Sequence, residues 1–159
     1  MTAFHTAQPR TAEIHAAVLN KTTRFPVTAI SGTAIGQIAP NGVYSMAPAG
    51  FVSYSGHGIA RPIGPTLIGF QFKPTAGGSS TAIINGSLLL TDSATGEQVI
   101  VGFSGNEASA SRGRSSKAVL TGNVAGGTGQ FNNATGSFSA TAQFNGSGRF
   151  SLRYNISIA

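Results

Sequence analysis

The chain has 159 residues, enough for one domain with a sizeable core. Hydrophobic residues make up 40% and recur in patterned runs, which excludes a disordered chain, while the absence of cysteine excludes disulfides and thiolate metal sites. The formal net charge of +6 invites a nucleic-acid partner, but the basic residues are scattered. The tightest group, Arg112, Arg114 and Lys117, has no aromatics interleaved, so no nucleic acid is expected as a partner. No membrane is expected either, because no apolar run approaches the ~20 residues a spanning helix needs.

Residues 1–22 show no strand pattern and read as an irregular N-terminal arm or short helix, with Ile14, Ala17 and Val18 on one face of TAEIHAAVL. They lack the apolar core of a signal peptide, so a cytoplasmic location is expected, or a secreted one where a leader has been removed. Residues 23–159 read as a single domain in which alternation takes over. Strands are predicted over 25–38, 50–61, 65–72, 81–92 and 97–105. After a polar loop, NEASASRGRSSK (106–117), three more follow over 118–124, 135–144 and 148–159. Asn145-Gly146 between two alternating runs is the strongest hairpin signal.

Short links without crossover helices make the sheet antiparallel. Eight meandering strands favour closure, because closure removes exposed edges. The expected fold is therefore all-β, a closed antiparallel eight-stranded barrel with an irregular N-terminal arm. The period of two assigns the faces. Phe150, Leu152, Tyr154, Ile156 and Ile158 share one side of the last strand, and Phe138, Ala140, Ala142 and Phe144 one side of the strand before it. Ile68, Phe70 and Phe72 line the third. Many inward positions are Ala or Gly, which would leave room for one small ligand; filling by large side chains is the other outcome.

The stretch GGTGQFNNATGSFS (126–139) is followed by alternation, not by a helix, and it lacks the Lys-Ser/Thr pair of a phosphate loop. Its glycines suit turns of positive φ and tight backbone packing at a barrel corner, against which Phe131 and Phe138 would pack.

GGTGQFNNATGSFSATAQF (126–144) resembles the GGTGRFxGATGxxxxxG signature of small bacterial β-barrels related in shape to plant allene oxide cyclases and dirigent proteins. SGHGIARPIGPTLIGFQF (55–72) is similar to the early strand pair of that group, and GSLLLTDSATGEQVIVGFSG (86–105) to its central hairpin. The resemblance spans roughly residues 50–158. Gln130 stands where the group usually has Arg, and no motif places the catalytic residues of allene oxide cyclase on this chain. The resemblance implies an allene oxide cyclase/dirigent-like barrel that holds an apolar, polyene or polyketide-like molecule and steers its cyclisation. It implies no metal and no organic cofactor, and a homo-oligomer, dimer or trimer. The alternative is a non-catalytic barrel that binds a hydrophobic ligand or is purely structural.

Few residues can carry chemistry. Parity places Glu97 with Val99, Val101 and Phe103, where burial would raise its pKa and fit it for acid–base work; the other reading is a solvated carboxylate in the turn. Tyr54 and Tyr154 could each donate a hydrogen bond to a substrate carbonyl, or simply pack with the hydroxyl at the rim. Phe70, Phe72, Phe103 and Phe144 would form the wall that fixes a reactive fold, and Tyr44, in the PNGVYSMAPAG loop, part of a lid. His57 and Arg61 share a face opposite in parity to Tyr54. They make a cationic binding site only if a bulge turns them inward. The histidines at 5, 15 and 57 share no metal-ligand spacing.

Overall fold

The computed structural model describes residues 27–38, 50–77, 80–109 and 115–159. Tyr44, the helix suggested within the N-terminal arm, Arg112 and Arg114 lie outside the described residues. Eight strands follow in chain order: β1 (Ala29–Ile38), β2 (Val52–Arg61), β3 (Gly64–Gly77), β4 (Ser80–Asp92), β5 (Gln98–Ser109), β6 (Ser115–Gly127), β7 (Gly136–Asn145) and β8 (Arg149–Ile158). Each pairs antiparallel with the next, and β1 pairs with β8 from Ala29↔Ser157 to Gln37↔Arg149, so the sheet closes into a barrel.

The expected polar loop at 106–117 is corrected. Residues 106–109 belong to β5 and 115–117 to β6, paired as Asn106↔Val119, Glu107↔Ala118 and Ala108↔Lys117. Composition hid this extension, because the cross-strand ladder holds it and not an apolar run.

One end of the barrel, here the Phe131 end, carries the β2–β3, β4–β5 and β6–β7 turns. The other, the Asn145 end, carries the remaining links. At the Phe131 end the glycine-rich stretch makes the predicted corner. The pairing of β5 with β6 shifts between Ile100/Val101, opposite Gly126 and Val124, which leaves Ala125 as the extra residue of a bulge. A single 3-10 turn, Gly129–Phe131, follows. Gly129 has φ +59°, and a Cβ there would run into the Glu97 carboxylate, so only glycine serves. The turn drives Phe131 into the barrel end, where it is buried.

The interior follows the alternation. Ile30, Ile68, Leu88, Leu90, Val99, Val101, Leu120 and Ile156 are all at most 2% exposed. The inward glycines do not leave the expected room. A Cβ on Gly36 would meet Phe150 Cε1 at 2.7 Å, one on Gly32 would meet the Tyr154 hydroxyl at 2.6 Å, and one on Gly86 would strike the Phe103 ring. Aromatic rings occupy the space that these glycines vacate, so depletion of Cβ atoms along the wall seats the core instead of hollowing it.

Candidate functional site

The interior divides into two polar regions separated by rings. Tyr54, on β2, points inward and lies against Phe70 at 5.1 Å and 17° between ring planes, Phe144 at 5.1 Å, Phe150 at 5.7 Å and Phe72 at 6.1 Å. Phe103 joins through Phe70 and Phe72, each 6.5 Å away. Offset and edge-on contacts of this kind contribute about 0.5–1.5 kcal/mol per pair beyond area burial. Of the candidate residues, Tyr54, Phe70, Phe72, Phe103 and Phe144 are thus brought together, with Phe150 completing the cluster.

At the Asn145 end this cluster meets a carboxylate from the stretch expected to form a polar loop. Inward parity runs along β5 from Val101 and Phe103 through Gly105 to Glu107, which is half-buried. Along β6 it runs from Leu120 and Ala118 to Ser116, also half-buried. The Ser116 hydroxyl donates to the Glu107 carboxylate. Ser116 pairs across the sheet with Phe144, whose ring touches Tyr54, so Ser116 and Phe144 connect Glu107 to the aromatic cluster. Burial holds the Tyr54 phenol above its ordinary pKa, and the charge of Glu107 pushes it further the same way. The phenol therefore stays a hydrogen-bond donor over the whole neutral range. Continuing the parity of strand five past Gly105 would have revealed Glu107.

Nearer the Phe131 end, the second polar region is enclosed. Tyr154 and Thr66 are each 1% exposed, and neither hydroxyl reaches a partner in hydrogen-bond geometry. Burial raises the Tyr154 pKa, and the neighbouring Thr66 hydroxyl opposes that in smaller measure. Asp92, paired with Thr66 across the sheet, is also buried, and its Oδ1 accepts the Ala94 N–H at 2.9 Å to cap the β4–β5 turn.

The other candidates stand apart. Glu97 precedes β5, in the turn that the Asp92 N–H closes on the Glu97 carbonyl at 2.8 Å. Its carboxylate accepts the Gln130 backbone N–H at 2.8 Å and the Gln130 Nε2 at 3.0 Å, outside the apolar lining that parity predicted for it. The turn lifts the residue off the strand, so parity with Val99 does not apply. His57 and Arg61 are exposed on the outer face. β2 pairs with β1 and β3 without a register shift, so no bulge turns them inward and Tyr54 takes the interior position. Among the described residues, no group of three or more His, Asp or Glu could hold a metal ion.

No protein-family model, curated protein or solved structure matches the chain.

Proposed function

We propose that this barrel is a cofactor-independent isomerase or cyclase that acts on an apolar, carbonyl-bearing small molecule, polyene or polyketide-like, held at the Asn145 end. One observation carries the reading: a carboxylate stands near enough to a phenol to raise its pKa, beside an aromatic cluster, where the interior becomes half-buried. The substrate body would lie on Tyr54 and Phe144. The Tyr54 hydroxyl would donate to the carbonyl oxygen and stabilise the charge developing there. Glu107 would take a proton from the carbon α to that carbonyl, with Ser116 orienting the carboxylate, and would return it at another carbon. That sequence moves a double bond or primes a ring closure, and it balances without an oxidant. The resemblance to allene oxide cyclase-like barrels agrees with such chemistry.

A second reading, a non-catalytic or structural barrel, is favoured by the rings that fill the glycine-lined space. The two separate on incubation with β-ionone, an apolar polyene ketone, in D2O. The enzyme reading expects the protein to accelerate deuterium incorporation beside the carbonyl and the ketone to shift the resonances of Tyr54 and Phe144. Ring shifts without incorporation favour a binder, and neither effect favours a structural barrel.

A further inference from the structure

The outward face of β6, β7, β8 and β1 carries a groove of about 440 Å³ whose lining includes Lys117, Gln143, Thr141, Arg153, Ser151 and Thr33. Its layout follows from register. Lys117 is opposite Gln143, which is opposite Ser151; in the next row Thr141 is opposite Arg153, which is opposite Thr33. Lys117 and Arg153 therefore sit two strands and one pleat repeat apart, about 12 Å between Cα atoms, so both long side chains reach one small anion placed over Thr141 and Gln143. Neither cation has a counter-charge among the described residues. Among the described residues the carboxylates are Asp92, buried inside, Glu97, tied to Gln130, and Glu107, turned inward onto Ser116. Two such cations, three hydroxyls and an amide in one groove form a set of hydrogen-bond donors around positive charge.

We infer that this groove binds a small phosphate or sulfate ester with a hydroxyl-bearing body. The Arg153 guanidinium offers a fork to two oxygens of the tetrahedral anion, Lys117 a point charge to a third, and the hydroxyls and the Gln143 amide suit a polar, sugar-like body. The groove volume lies within the range of small-ligand sites, about 300–1,000 Å³. This inference is independent of the chemistry proposed for the interior.

The test is an amide-resolved NMR titration at constant ionic strength with glucose 6-phosphate, inorganic phosphate, inorganic sulfate and glucose. The expected result is saturable shifts at Thr33, Thr141, Gln143 and Ser151 with glucose 6-phosphate, weaker with the free anions and absent with glucose. Arg153→Gln and Lys117→Gln should each weaken ester binding by about tenfold or more, and Arg153→Lys by less, because it keeps the charge and loses the fork. Both positions are exposed, and unchanged resonances elsewhere report an intact barrel. Free anions binding as tightly as the ester would overturn the ester assignment. Shifts spread over every surface cation, or binding unaltered in both Gln variants, would overturn the site.

Discussion

Gln130 grips Glu97 twice across thirty-three residues of sequence, with its backbone N–H on Oε2 at 2.8 Å and its side-chain amide on Oε1 at 3.0 Å. The β6–β7 corner is thereby fastened to the β4–β5 turn, and Phe131 is held in the barrel end. A half-exposed carboxylate with two such bonds is worth about 1 kcal/mol after solvent screening. Glu97→Ala should lower the unfolding free energy by that amount and the denaturation midpoint with it, whereas Gln130→Arg should keep the link as an ion pair. Equal midpoints for Glu97→Ala and wild type would show that the corner holds without it.

The Tyr154 and Thr66 hydroxyls behave differently, because they are buried without partners. Removing a desolvated hydroxyl that has no hydrogen bond is neutral or favourable, so Tyr154→Phe should change stability by between 0 and about +1 kcal/mol, and Thr66→Val likewise. A double-mutant cycle on urea denaturation measures any coupling between them. A loss above about 2 kcal/mol for Tyr154→Phe would mean that the phenol is satisfied in solution.

Alkaline pH should weaken the fold. Burial makes both Tyr54 and Tyr154 harder to ionise in the folded chain than in the unfolded one. A group with a raised folded pKa contributes its full stability below the unfolded value and loses it as pH rises through the folded value. Stability should thus fall once pH climbs past about 10, the ordinary tyrosine value. Urea midpoints measured from neutral to strongly alkaline pH check this. Tyr54→Phe and Tyr154→Phe should each flatten the decline, and curves parallel to wild type would contradict the assignment.

Gly36 tests the seating of rings on bare backbone. A methyl group there would meet Phe150 Cε1 at 2.7 Å and Gly56 Cα at 2.5 Å. Gly36→Ala should cost about 1–3 kcal/mol by overpacking and should shift the Tyr54 ring resonances through Phe150. A variant as stable as wild type, with unmoved Tyr54 signals, would mean that the wall has slack.

Most of the barrel was legible in the sequence because alternation is a local signal. Phe150 to Ile158 and Phe138 to Phe144 announce their inward face, and Asn145-Gly146 their hairpin. The site was less legible. Glu97 sits beside an alternating run, but the turn removes it from the strand, and no local pattern reports that Gln130 will arrive from a distant corner. Glu107 lies among Asn, Ala and Ser that read as loop, and its strand exists because β6 pairs with it through residues seven to thirteen positions away. The inward glycines suggested a cavity because a sequence shows the missing Cβ and not the ring that replaces it.

On the proposed reading, proton transfer belongs to Glu107 at the Asn145 end and not to Glu97. Deuterium incorporation into β-ionone in D2O, compared for wild type, Glu107→Gln and Glu97→Gln, decides between the two carboxylates. At least a tenfold loss is expected in Glu107→Gln, about 1.4 kcal/mol of barrier, with Glu97→Gln equal to wild type. A Glu107→Gln protein that exchanges as fast as wild type, or a loss confined to Glu97→Gln, would contradict it.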